Sequence, residues 1–197
     1  PASDVMVLTI SQQAAVSAGT DATICETGTY TLSTSTEEEA VSLLWTSTGT
    51  GTFNDATLLH PIYTPSQNDL DEGSIILTVT VTSDEPCIDD TDEMVLSISR
   101  QAEVFAGVDN VICETETYTL ADATQTDAVS ILWTSGGDGV FSDATLINPV
   151  YTPGLNDIAA GFAILSVEVQ SALPCVAAYD TMTLQISRQA VAYAGVD

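Results

Sequence analysis

The 197-residue chain repeats itself. A shift of 88 residues lays Cys25 on Cys113, Trp45 on Trp133, Phe53 on Phe141, Tyr63 on Tyr151, Asp69 on Asp157, Gly73 on Gly161 and Cys87 on Cys175. No gap is needed from Ala18 to Tyr193, and roughly half of the positions are identical. Duplication at a fixed period means that each period is one structural unit, stacked on or tethered to the next. The stretch VMVLTISQQAAVSAGTD (5–21) also matches EMVLSISRQAEVFAGVD (93–109) and TMTLQISRQAVAYAGVD (181–197). The expected organisation is therefore the last strand of a preceding repeat (1–11), repeat 1 (12–100), repeat 2 (101–188) and the start of a following repeat (189–197). This is a window on a longer tandem array. The alternative, a self-contained two-domain protein, leaves residues 1–11 as an orphan strand with its apolar side unpaired.

Within a repeat the apolar period is two. Met182, Leu184 and Ile186 alternate with Thr183, Gln185 and Ser187, and Leu77, Val79 and Val81 alternate with Thr78, Thr80 and Thr82. Such alternation predicts half-buried strands of antiparallel sheets. GTGTF (49–53) and GGDGVF (136–141) supply turn chemistry, and Pro61, Pro65 and Pro86 punctuate loops. About seven short strands per repeat, with one Trp in the third, predict an all-β chain of tandem immunoglobulin-like β-sandwiches with Trp45 and Trp133 in the cores. No segment carries a helical stripe. The first strand is expected over 13–18, with an interruption at AGTD, where Gly19 and Gly107 suggest a bulge or a switch between sheets. The joint over 98–104 holds no Gly, Pro or Ser-rich linker, so adjacent modules, each roughly 35–45 Å long from the rise per residue, are expected to be held close.

AGTDATIC, WTSTGTGTF, YTPSQND and PCIDDTDEMVLSI, with their copies in the second repeat, resemble the PKD-like or Ig-like repeats of very large Bacteroidota surface proteins, gliding-motility adhesins among them. The resemblance covers the whole chain. It implies extracellular tandem domains in a stalk or filament, export across the outer membrane, and no enzyme; it implies no particular ligand.

Charge narrows the partners. Twenty-eight acids face two Arg and no Lys, a formal net charge of −26, yet 45% of residues are hydrophobic. A disordered acidic tail is poor in apolar residues, so a folded protein with an acidic surface is expected. Nucleic acid and anionic membrane are excluded as partners, because both require clustered cations. No apolar run reaches the roughly 18 residues needed to span a bilayer. The opening PASDVMVLTIS lacks a signal peptide's basic and apolar blocks, so any targeting segment is removed or lies outside this piece. The absence of Lys also closes the Lys–Asn isopeptide route to a force-resistant sandwich.

Each repeat carries two cysteines, Cys25 with Cys87 and Cys113 with Cys175. Four cysteines allow three connectivities. Because the pair travels with the repeat, a bridge inside each repeat is expected, adding about 4 kcal/mol by the chain-entropy model. A cross-repeat link such as Cys87 to Cys113 would instead lock the joint, and buried free thiols are the third option, disfavoured by an exterior setting.

Acids recur in both copies: Asp21 and Asp109, Glu26 and Glu114, Asp55 and Asp143, Asp69 and Asp157, Asp92 and Asp180. The densest run, CIDDTDE, offers carboxylates for calcium, but its copy CVAAYDT keeps only Asp180. Charges on solvated loops are the plainer reading; a calcium site at the joint using Asp21 or Asp109 is the alternative. Arg100 and Arg188 follow the last strand of each repeat, where either can clamp a neighbouring repeat's acid, an exposed pair being worth about 0–1 kcal/mol. The first joint has Gln12 instead.

Catalytic signatures are missing. His60 is the single His and its counterpart is Asn148; there is no G-x-S-x-G elbow and no phosphate-binding glycine loop. No N-x-[ST] sequon occurs, whereas DTM (180–182) resembles an O-glycosylation site at Thr181 of the Bacteroidota kind. The sequence thus favours a structural repeat unit of an extracellular filament or giant adhesin shaft, whose partners are neighbouring repeats and other copies of the filament. A glycan- or protein-binding module acting through its loops is the alternative, marked by exposed aromatics. Lateral self-assembly by strand exchange between chains is a third.

Overall fold

The computed structural model describes residues 3–190 and residue 192. The chain divides into two units, residues 1–99 and 100–197. The expected opening of a following repeat over 189–197 falls mostly outside the described residues.

The first unit contains β1 (Ala15–Ser17), β2 (Ala22–Cys25), β3 (Tyr30–Thr31), β4 (Thr36–Glu38), β5 (Ser42–Ser47), β6 (Thr52–Phe53), β7 (Ile62–Thr64), a short helix α1 (Gln67–Glu72), β8 (Ser74–Thr82) and β9 (Asp90–Ser99). One layer is a four-stranded sheet in the order β2-β9-β8-β5; the other holds the three-stranded β3-β7-β6 and the pair β1-β4. The period-two alternation decides which face goes inward. Ile75, Leu77, Val79 and Val81 of β8 and Met94, Leu96 and Ile98 of β9 are buried, while Thr78, Thr80 and Thr82 look outward. Each large apolar side chain so buried contributes about 1.5–3 kcal/mol. A row of rings crosses the core: Trp45 on β5 lies 6.3 Å from Phe53 on β6, which lies 5.0 Å from Tyr63 on β7. Among the described residues the Trp45 and Trp133 indole N–H groups find no acceptor, so these side chains serve the core by packing alone.

The second unit repeats the plan with β10 (Glu103–Phe105), β11 (Asn110–Cys113), β12 (Tyr118–Thr119), β13 (Thr124–Thr126), β14 (Ser130–Ser135), β15 (Val140–Phe141), β16 (Val150–Thr152), α2 (Leu155–Ala160), β17 (Phe162–Gln170) and β18 (Ala178–Ser187). Its sheets run β11-β18-β17-β14, β12-β16-β15 and β10-β13.

Three features refine the sequence expectation. The opening strand does switch sheets: β1 pairs antiparallel with β4, and after Gly19 (φ +92°) the chain crosses to β2 in the other layer. There β2 runs parallel to β9, pairing Cys25 with Ser99, so the large sheet is mixed rather than purely antiparallel. Each unit also has a six-residue helix where none was expected. Less than two turns long, it is too short to show an apolar stripe; its signals are a cap and a stop, Ser66 accepting from the Asp69 N–H and Gly73 ending it at φ +75°.

Residues 3–14 form no strand, and Val5, Met6, Val7, Leu8 and Ile10 are exposed. Their counterparts Met94, Leu96 and Ile98 fill the core of the first unit.

Candidate functional site

The best-made polar site of each unit is a buried carboxylate at the start of the short helix. Asp69 has no exposed surface and Asp157 almost none. Asp69 Oδ1 accepts from the Thr50 N–H (2.7 Å), and Oδ2 accepts from the Gly51 N–H (2.9 Å), the Ser66 N–H (3.0 Å) and the Tyr63 hydroxyl (2.8 Å). Asp157 Oδ2 likewise accepts from the Gly139 and Gly154 N–H groups and the Tyr151 hydroxyl. Burial pushes the Asp69 carboxyl up, but the donors from Ser66, Thr50 and Tyr63 outweigh it and hold the group below the usual carboxylate value. The tyrosines move the other way: burial first, then the neighbouring carboxylate, pushes Tyr63 and Tyr151 up to about 12.

Gly51 is required by proximity. A Cβ there would stand 2.5 Å from the Tyr63 hydroxyl and from the Thr64 carbonyl oxygen. The helix cap shows one job done by two sets of residues. In the first unit Thr50 and Ser66 hydroxyls lie 2.6 Å apart and Ser66 caps the helix. In the second, Gly154 replaces Ser66, and Asp138, the counterpart of Thr50, accepts from the Asn156 and Asp157 N–H groups instead. A Cβ on Gly154 would meet the Asp138 carboxylate at 2.1 Å. Through these bonds to backbone N–H groups and a tyrosine, the carboxylate ties two loops and a helix of its unit together.

Three further pairs of recurring acids also accept backbone N–H groups within their own unit. Asp21 accepts from the Val95 N–H (2.8 Å) and Asp109 from the Thr183 N–H (2.7 Å). Asp92 accepts from the Ala18 N–H and Asp180 from the Ala106 N–H, securing the opening strand of each unit against its last. Asp55 and Asp143 each accept from a Thr two residues on, and these bonds hold both carboxyls below their ordinary value. In the dense run, Asp89 accepts from the Ser83 N–H and Asp90 from the Val16 N–H. No three His, Cys, Asp or Glu side chains cluster closely enough to hold a metal among the described residues. Asp21 and Asp109, where the sequence raised a calcium site, each hold a strand N–H of their own unit through Oδ1.

Arg188 is occupied within its own unit. Its Nε donates to the Ile158 carbonyl (3.2 Å) and an Nη to the Ala159 carbonyl (3.0 Å) at the end of α2. Helix C-terminal carbonyls lack internal partners and carry partial negative charge, so they compete for the guanidinium with the neighbouring acid that the sequence suggested. His60 and Asn148 play equivalent parts: His60 Nε2 lies 3.0 Å from the Ser35 carbonyl, and Asn148 donates to the Leu120 and Ala123 carbonyls. Thr181 is exposed on β18. A shallow groove of about 220 Å³ in the second unit is lined by Gly137, Asn156, Phe162 and Ile164, but Ser74 stands at the Phe162 position of the first unit.

The cysteines depart most from expectation. Cys25 and Cys175 are disulfide-bonded, whereas Cys87 and Cys113 are half-buried free thiols. Bridges from Cys25 to Cys87 and from Cys113 to Cys175 therefore do not form. Strand direction gives the reason. Cys25 lies beside Ser99, the last residue of β9, while Cys87 precedes Asp90, the first. Cys113 lies beside Ser187 at the end of β18, and Cys175 precedes its start at Ala178. The ends of such a strand are about 30 Å apart, and a disulfide spans Cα atoms only about 5.5 Å apart.

No helix among the described residues is long and apolar enough to cross a membrane. No family profile matches the chain, and no curated protein matches its sequence. Solved structures do match. The titin I-band fragment I67–I69 aligns at TM-score 0.52 and 9% identity, covering 92% of this chain and 67% of that one. Domains EC22–24 of mouse cadherin-23 align at TM-score 0.51 and 11% identity, covering 91% and 67%. Domains EC1–4 of Drosophila N-cadherin align at TM-score 0.50 and 12% identity, covering 86% and 48%. The chain spans about a third to a half of the protocadherin structures it also matches. At such identities the likeness is one of fold: the chain is all-β, built of tandem immunoglobulin-like β-sandwich repeats.

Proposed function

We propose that this chain is part of the repeating shaft of an extracellular filament or giant cell-surface adhesin of the Bacteroidota kind, and that it is not an enzyme. The observation that carries the reading is the use of the recurring polar residues. Asp21, Asp55, Asp69 and Asp92, with their copies, hold strands, loops and the short helix of their own sandwich. A binding or catalytic site kept through duplication would leave some recurring polar groups uncommitted. An exposed last-strand sequence over residues 5–11, matching the buried strands of both units, suits a repeat that continues an array.

A module binding glycan or protein through its loops is the second reading. Phe105, Phe162 and Tyr179 are exposed on the second unit, and the groove beside Phe162 is the place for a ligand. Because Phe162 does not recur, such binding would belong to the second repeat alone.

Electron microscopy of the native, untruncated material separates the two. The shaft reading requires a long thread beaded at the spacing of one sandwich. Short stalks or globular particles would overturn it and direct attention to the loops of the second repeat.

A further inference from the structure

The cysteines are identical at equivalent positions of the two repeats, yet their oxidation states differ. The 88-residue shift carries Cys25 onto Cys113 and Cys87 onto Cys175. The settings match. Cys25 and Cys113 each end the strand parallel to the last strand, and Cys87 and Cys175 each lie in the turn before it, with their N–H groups bonded to the Asp84 and Ala172 carbonyls. Yet Cys25 and Cys175 are half-cystines, while Cys113 and Cys87 are thiols. Matching local structure gives both positions the capacity to be oxidised, so what differs is the availability of a partner.

That partner cannot come from the same sandwich, because its two cysteines lie at opposite ends of the last strand. The oxidised residues are one of each kind, an end-of-strand cysteine and a turn cysteine, so disulfide formation in this fold uses one of each. We propose that Cys87 and Cys113 are the open halves of this same disulfide and that each bonds a cysteine of another copy of the repeat: Cys113 a turn cysteine, Cys87 an end-of-strand cysteine. A chain that carries one free thiol of each kind, a turn cysteine in its first unit and an end-of-strand cysteine in its second, links in series. The contact is head-to-tail and does not close on itself, the kind of contact that generates filaments. Both thiols are half-buried rather than sealed. The Cys113 sulfur accepts from the Thr115 hydroxyl (3.5 Å), and the Cys87 thiol donates to the Ser11 carbonyl (3.6 Å). The proposal rests on the shaft reading for its biological setting, but it is tested on this chain alone.

The oxidant is a small-molecule disulfide such as cystamine, whose positive charge suits the acidic surface. The Cys113 thiolate attacks it, forming a mixed disulfide and releasing one cysteamine. The Cys87 thiolate of a second copy then displaces the other cysteamine, so one disulfide is reduced to two thiols as one forms, and the two protons leave on cysteamine. The expected result is a ladder of linear oligomers in non-reducing electrophoresis, with peptide mapping finding Cys113 joined to Cys87 between copies labelled with different isotopes. Cys87→Ser and Cys113→Ser should each remain monomeric, and an equal mixture of the two should stop at the dimer. Four results would overturn the proposal: symmetric Cys87–Cys87 or Cys113–Cys113 links, a bond between Cys87 and Cys113 of one molecule, mixed disulfides that go no further, or thiols that stay unreacted. A beaded native thread whose cysteines are all reduced would also overturn it while leaving the shaft reading intact.

Discussion

At the scale of single residues, stability rests on a carboxylate and a phenol that share a proton donor bond out of water. Tyr63 donates to Asp69, and ionising the phenol would place a second negative charge against the first. The folded value near 12 stands above the ordinary 10.0. A group raised in this way contributes stability that is complete below the unfolded value and is lost as pH rises from about 10 through about 12. Denaturant unfolding across that window should therefore show a steep alkaline loss. The Tyr63→Phe, Tyr151→Phe variant should be less stable at neutral pH by roughly 1–2 kcal/mol per site, since each carboxylate loses a donor. Its alkaline slope should be shallower than that of the parent, and an equal slope would show that other groups govern alkaline unfolding. The pairing of Asp69 with Asp157 and Tyr63 with Tyr151 was visible in the sequence as recurrence. The hydrogen bond from each tyrosine to its aspartate was not, because the aspartate sits in a helix too short to leave a periodic trace.

At the scale of elements, the alternation in β8 and β9 announced which side chains enter the core, because one buried face forces a period of two. Strand direction was not legible. Nothing in ATIC says that it runs parallel to the last strand, and the error over the cysteines follows from that single fact. The sheet switch was legible because only a residue at ease with positive φ can make it. Here the two repeats offer a controlled comparison. Gly19 (φ +92°) would place a Cβ 2.2 Å from the Thr34 hydroxyl, whereas Gly107 (φ +100°) has nothing nearer than 3.7 Å. Both alanine substitutions incur backbone strain of about 1 kcal/mol or more. Gly19→Ala must in addition displace Thr34, so it should lower the melting temperature of its unit further than Gly107→Ala lowers that of the other. Equal losses would mean that φ alone sets the requirement at the switch.

At the scale of the whole molecule, 28 carboxylates and two guanidiniums make a chain that repels itself, and stability depends on how that repulsion is screened. Salt of any kind should raise the melting temperature as screening lengths shorten to about 10 Å at 0.1 M. A bound calcium would do more than screen, because it would add the affinity of a site present only in the folded state. The recurring acids argue for screening alone. Asp21, Asp92, Asp109 and Asp180 accept backbone N–H groups at 2.7–2.9 Å, so each carboxylate already has a role within its own sandwich. Calcium and magnesium chloride at equal ionic strength should therefore shift the melting temperature equally, and chelator should restore the starting value in both. A rise specific to calcium would reveal a site that these carboxylates build alongside their backbone bonds.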